Sequence, residues 1–349
     1  MKVTALGVHG AFSVGKHVDV LLADDVKEIL KSLLAVDPRK FDNLDEYNRA
    51  YDAAIKRIDD LKKTRAYLPA WQSNFLIELR RKDGTWLRIV IDFGGDIRHS
   101  LQNVGLSLSD IDVWYCSHPH QDHIGGIEGI ALSTFFNPVW RINKKSFLDG
   151  QPIAVMVAKK ALPKDCKPVL MAHPDVLKDV WPAAKPGLET LEGIDEVNLD
   201  TYFDVCPITD MIAFSDYDND GNERVWEIKP IRSLHVVNGR NFMNSWGLSF
   251  EENLQGVGGK FIYFPTDSQF MSPKQIKTTY NKSTVIYQDC ETSPFPSDVH
   301  AHINDLRTLP PEIKKKMLLY HYQEIPTVGK HIDEGEFGGV LKMGDVQEY

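Results

Sequence analysis

The stretch Ser117-His118-Pro119-His120-Gln121-Asp122-His123-Ile124-Gly125-Gly126 places three histidines and an aspartate within six residues. Imidazole and carboxylate are the ligands of choice for zinc, manganese or iron in a catalytic site that keeps open positions. His118 and His120 are one residue apart, so in an extended segment both project to the same side. Pro119 keeps His118 out of the helical region and preserves that alternation. Asp122 and His123 then fall at the turn that follows. Two imidazoles from one segment and an Asp-His pair from the next do not comfortably reach a single ion. They can serve two neighbouring ions, about 3.5–4 Å apart in two-metal hydrolytic sites. A hydrated surface turn would account for one histidine, but not for four ligand-type residues of six.

The elements around this cluster must hold it in place. Ile111-Asp-Val-Trp-Tyr-Cys116 is an apolar run of the buried-strand type, and the cluster begins where it stops. Upstream, Asn74–Leu79 and Trp86–Asp92 read as strands joined by a Lys82-Asp83-Gly84 hairpin turn. Lys2–Gly7 reads as a short strand. Between residues 24 and 68, apolar residues at helical spacing with charges between them predict a helical hairpin inserted near the N-terminus. Helix is also expected from Pro174 to Trp181. Strands are expected at Ile228–His235, Lys260–Phe264, Thr284–Tyr287 and Lys316–His321, with a helix over residues 302–309 before the last.

The chain has 349 residues, 40 basic against 49 acidic side chains, and four cysteines without a C-x-x-C pair. The net charge of -9 argues against wholesale coating of nucleic acid. The isolated cysteines suit a reducing compartment, and no apolar stretch approaches a membrane span. A cytoplasmic protein without a membrane partner is expected. Residues 134–170 depart from the whole, carrying seven lysines and arginines against Asp149 and Asp165. That segment reads as a basic insertion within a single domain covering 1–349.

The H-x-H-x-D-H cluster after a hydrophobic strand resembles the signature of the metallo-β-lactamase superfamily. Val90-Ile-Asp-Phe-Gly-Gly95 and the Leu108-Ser-Asp-Ile-Asp112 lead-in are similar to that family's first half. Later segments resemble its ribonuclease Z and phosphodiesterase branch: Leu234-His235 before Ser245-Trp-Gly-Leu, Lys260-Phe-Ile-Tyr-Phe-Pro-Thr-Asp267, and Met317-Leu-Leu-Tyr-His321. The resemblance implies an α/β (α+β) fold, a four-layer αββα sandwich. It implies that His118, His120 and His235 hold one divalent ion, that Asp122, His123 and His321 hold another, and that Asp267 bridges them. Zinc is the first expectation for both ions, with manganese or iron as alternatives. Asp289 also follows an apolar strand and stays open as the bridge.

The same branch places a proton-donating histidine about twenty residues before the last ligand. His300 fits that offset best, and His302 is its near rival; with Asp122 they form the set expected to act in catalysis. The implied function is a binuclear hydrolase in which a hydroxide held between two ions attacks a phosphodiester. A histidine would then protonate the departing alkoxide. The substrate would be a cyclic nucleotide or another small phosphodiester, or RNA. A transfer RNA 3′-endonuclease is the close alternative, although no counterpart of the ribonuclease Z arm is evident. Lactam, lactone or thioester hydrolysis on the same metals is the alternative of another class, and a non-catalytic scaffold is a third. Many relatives dimerise, and a homodimer is left open.

Two features compete for attention. Asp216–Glu227 has the spacing of an EF-hand calcium loop, yet strand-like sequence flanks it where that motif needs helices. An Asp-Gly hairpin is the expected explanation. His173, before a helix, is expected to be structural.

Overall fold

The computed structural model describes residues 1–10, 43, 45–53, 71–136, 167–254, 257–271, 273–293, 296–322, 332 and 335–349. The chain divides into two compact units, 14–70 and the remainder, 1–13 with 71–349. Within the first, residues 45–53 are helical. The rest of the proposed helical insertion at 24–68, and most of the basic insertion at 134–170, lie outside the described residues.

The larger unit contains two seven-stranded sheets. The strands are β1 (Lys2–Gly7), β2 (Asn74–Arg80), β3 (Trp86–Ile91), β4 (Val113–Cys116), β5 (Val169–Ala172), β6 (Asp204–Pro207), β7 (Ile212–Tyr217), β8 (Glu223–Asn238), β9 (Asn241–Leu254), β10 (Val257–Phe264), β11 (Val285–Asp289), β12 (Met317–Tyr320), β13 (Gly339–Val340) and β14 (Val346–Glu348). One sheet runs β14-β1-β2-β3-β4-β5-β6 and the other β13-β12-β11-β10-β9-β8-β7. In each, the strands pair antiparallel at one end and parallel at the other: β1 to β3 against β3 to β6, and β7 to β10 against β10 to β13. The topology therefore repeats, although no repeat is visible in the sequence.

Side chains alternate across each strand, and here both faces are covered. Phe75, Ile77, Ile89, Ile91 and Tyr115 face Trp226, Leu248, Phe250, Ile262 and Phe264 in the core between the sheets. The alternate residues Leu76, Val90, Trp114 and Leu170 pack outward with α1 (Ile97–Asn103), α3 (Ile127–Phe136) and α4 (Pro174–Leu188). On the far side, Phe261, Tyr263, Ile286 and Leu319 pack with Ile303 and Leu306 of α5 (Ile303–Leu306). This two-faced burial explains why these strands read as nearly continuous apolar runs. The result is the expected αββα sandwich.

The Asp216–Glu227 segment is a hairpin: Asp216 pairs with Arg224 and Tyr217 with Glu223, around Gly221 at φ 83°. The Asp216 carboxylate is engaged elsewhere, by the Met1 amine at 2.6 Å and by the Arg80 backbone N–H at 2.8 Å. No helix among the described residues is long and apolar enough to cross a membrane.

Candidate metal centre

The chain leaves β4 at Cys116 and turns through Ser117 to His120 into α2 (Gln121–Ile124), a single helical turn. Its geometry depends on close backbone approach. Gly126 N–H donates to the Phe93 carbonyl at 2.8 Å, and a Cβ there would stand 2.6 Å from Ile97 Cγ2 and 2.8 Å from Phe93 O. Only glycine fits such a contact.

The turn brings His118 Nε2 to 3.0 Å from His120 Nδ1. His235 completes this triplet, with Nε2 3.1 Å from His120 Nδ1. His235 is the extra residue of a β-bulge: Leu234 pairs with Asn244 and Val236 with Met243, leaving it unpaired between them. A bulge re-aims the side chain it carries. The second group is Asp122, His123, Asp267 and His321. His123 Nε2 stands 3.1 Å from both Asp122 Oδ2 and Asp267 Oδ2, and His321 Nε2 stands 3.3 Å from Asp267 Oδ2. Asp267 Oδ2 is also 3.9 Å from His118 Nε2 and from His235 Nε2. One carboxylate oxygen thus lies within reach of both groups.

These residues fit divalent cations. His118 Nδ1–H donates to Ser117 Oγ at 2.9 Å, and His235 Nδ1–H to the Val299 carbonyl at 2.8 Å. Each neutral ring then aims the lone pair of Nε2 at a shared point. Burial pushes His118 well below its ordinary pKa and His235 down to about 4, which keeps both rings neutral. Three convergent lone pairs need a cation; nitrogen ligands on a tetrahedral zinc stand about 3.3 Å apart, close to the separations here. In the second group, burial works against charge on His123, yet Asp267, Asp122 and Asp92 outweigh it and raise its pKa well above the usual value. Asp122 and Asp267 are held well below the carboxylate range despite burial, chiefly by the charge on His123. Such a group attracts positive charge. His321 Nε2 and Asp267 Oδ1 are buried without a hydrogen-bond partner among the described residues.

The backbone around the site is strained. The four described non-glycine residues with positive φ are Asp92 (59°), Thr266 (58°), Asp298 (60°) and His321 (64°). Asp92, Thr266 and His321 closely follow the C-terminal ends of β3, β10 and β12, and Asp298 lies two residues before His300. Strain of this kind persists where surrounding structure imposes it, and it gathers at functional sites.

His300 stands beside Asp267, with Nδ1 3.8 Å from Asp267 Oδ2. Its Nδ1–H donates to Asp289 Oδ2 at 2.9 Å. Burial opposes a charge on this ring, but Asp267 and the bond to Asp289 push its pKa up to about 9. Asp289 therefore holds His300, while Asp267 is the aspartate that lies between the two groups. His302 is placed differently. Its Nδ1 accepts from Asn304 N–H at 3.2 Å, capping α5, and its Nε2–H donates to the Ser293 carbonyl at 2.9 Å. Both ring nitrogens of His302 are thus engaged by the backbone, whereas His300 is held through Nδ1 alone. His173 likewise caps α4, accepting from Asp175 N–H at 3.2 Å.

Sequence reasoning assigned no role to Asp92. It accepts from Ser117 N–H and Ser117 Oγ–H, both at 2.8 Å, and from His123 Nδ1–H at 2.8 Å. The available signal was its place after β3, which pairs in parallel with β4 (Ile91 opposite Tyr115) and so ends beside the cluster.

The sandwich is of the metallo-β-lactamase fold, and the two ligand groups are candidate divalent-metal sites within it. A family model described as Anti-Pycsar protein Apyc1 matches residues 65–148 and 153–345, and the chain belongs to that family. It is 26% identical over 250 residues to Anti-Pycsar protein Apyc1 of Paenibacillus harenae, spanning 72% of this chain and 82% of the relative. Among solved structures it is similar to a diphosphatase of the PhnP family, at TM-score 0.56 and 13% identity over 100% of this chain and 97% of the other. It is also similar to the short form of human tRNase Z, at TM-score 0.51 and 12% identity over 100% and 99% of the two chains. At such identities the structural likeness speaks for the fold.

Proposed function

We propose that the chain is a binuclear metal-dependent phosphodiesterase acting on cyclic nucleotides or similarly small phosphodiesters. His118, His120 and His235 would hold one ion, and Asp122, His123 and His321 the other, with Asp267 shared. Imidazole and carboxylate donors suit zinc, manganese or iron, with zinc the first choice. Two divalent cations bound there supply an activated water and neutralise charge on the phosphoryl group.

The observation that carries the reading is the Asp289–His300 pair beside the shared carboxylate. Asp289 fixes the His300 ring through Nδ1, which leaves Nε2 as the nitrogen able to give a proton. An alkoxide expelled from phosphorus needs a proton as it leaves, and an imidazole held in place through its other nitrogen is suited to give one.

The test is turnover by the zinc-loaded chain of bis(p-nitrophenyl) phosphate, of 3′,5′-cyclic nucleotides and of a transfer RNA precursor, with Asp122→Ala as control. Metal-dependent hydrolysis of the first two, lost in the variant, is expected. Cleavage of the precursor with cyclic nucleotides untouched would favour the endonuclease. Turnover of lactones or thioesters alone would overturn the phosphodiesterase reading.

A further inference from the structure

One face of β9 runs outward from the metal centre as a ladder. Trp246 is its inner rung: its backbone N–H donates to the Ser117 carbonyl at 2.9 Å, next to His118. Its ring stacks on His173, with centroids 3.4 Å apart and planes at 10°. Asn244 and Phe242 follow at two-residue intervals, so the three side chains share a face. Phe242 is 60% exposed, unusual for a large apolar ring. A cavity of about 370 Å³ opens beside these rungs, lined by Phe242 and Asn244 on one side and by Asp175 and Asp179 of α4 on another. Pro119, the residue between His118 and His120, also lines it. Pro119 thus puts the cavity wall next in sequence to two candidate ligands, none of which lines the cavity itself.

Arg232 organises the outer end. Its Nε–H donates to Asn244 Oδ1 at 2.9 Å, and its guanidinium lies 5.8 Å from the centroid of the Phe242 ring. With its oxygen held in this way, Asn244 keeps its amide hydrogens to donate. The cavity therefore offers a flat ring, an oriented amide donor, carboxylate acceptors and the Lys178 side chain. A nucleobase presents the complement: a π-face to stack and an edge carrying both acceptors and donors.

We propose that this cavity holds the nucleoside portion of the substrate, with Phe242 stacking on the base and Asn244 donating to its edge. Arg232 is a positioning residue for both. The inference rests on the phosphodiesterase reading and extends it from reaction to specificity.

The test compares kcat/KM for 3′,5′-cyclic nucleotides with kcat/KM for bis(p-nitrophenyl) phosphate, which has no base edge, in the metal-loaded full chain. Asn244→Ala is expected to lower the ratio of the two about tenfold, through the KM for the cyclic nucleotide. Phe242→Ala is expected to weaken calorimetric binding of the cyclic nucleotide about tenfold, with Phe242→Trp restoring it. Arg232→Gln should move the ratio in the same direction as Asn244→Ala. An unchanged ratio with undiminished binding would overturn the proposal, as would an equal loss on both substrates. If wild type hydrolyses bis(p-nitrophenyl) phosphate yet neither binds nor cleaves cyclic nucleotides, the base cavity fails and the hydrolase stands. If wild type cleaves neither substrate but binds cyclic nucleotides through Phe242, the cavity stands and the phosphodiesterase reading fails.

Discussion

Asp92 Oδ2 accepts a hydrogen bond from His123 Nδ1 at 2.8 Å, and through the same carboxylate it holds the Ser117 backbone and hydroxyl. A residue on β3's exit thus orients both halves of the cluster that follows β4. Asp92→Asn keeps a side chain tolerant of φ 59° but replaces an ionised acceptor with a neutral amide. Outer-shell changes of this type cost about 10–100-fold in metal affinity. Metal titration of the variant should show that loss chiefly at the ion held by His123, with the first ion retained more tightly.

His300 and His302 separate by experiment as they do in space. His300→Ala should lower kcat by about 10²–10⁴-fold on substrates with an alkoxide leaving group. The drop should be smaller for p-nitrophenolate, which departs with little help from an acid. His302→Ala should instead cost about 0.5–2 kcal/mol in a urea melt, the range for a lost helix cap, and alter kcat little.

Gly126→Ala should destabilise the chain by about 1–3 kcal/mol, because the added methyl meets the backbone of Phe93 with no room to move. The same variant should weaken metal binding, since Gly126 closes the turn that carries Asp122 and His123. A melt of the metal-free protein beside a metal titration checks both.

Glu78 predicts a pH dependence remote from the metals. Its carboxylate bridges Lys2 at 2.8 Å and Arg88 at 2.9 Å. Burial resists its charge, but these two partners outweigh that and lower its pKa. The folded chain therefore binds fewer protons here than the unfolded chain does. Its stabilisation is full above the ordinary glutamate value, about 4.5, and is lost as pH falls through the lower folded value. Urea midpoints of wild type and Glu78→Gln should differ most near neutrality and converge as pH falls below the ordinary glutamate value.

The contiguous part of the site was legible because four ligand-type residues follow one buried strand. The αββα fold came from the resemblance; the apolar runs showed only that strands such as Ile111–Cys116 are buried. His235, Asp267 and His321 came only from resemblance: each is a lone residue at a strand exit or bulge, more than a hundred residues from the His118–His123 cluster and on the other sheet. Strand alternation could not reveal that His235 is the unpaired residue of a bulge. His300 and His302 could not be told apart, since their difference lies in hydrogen bonds to Asp289 and to Ser293 rather than in residue type. Asp92 was quoted and passed over, because its work depends on the parallel pairing of β3 with β4.

The central claim is a two-ion centre sharing Asp267, and calorimetric titration of the metal-free chain with zinc tests it most directly. Two ions per chain are expected for the native sequence, and Asp267→Ala should weaken both, since its Oδ2 lies within 3.9 Å of nitrogens in each group. A single ion in the native chain, or two ions bound equally well by Asp267→Ala, would contradict it.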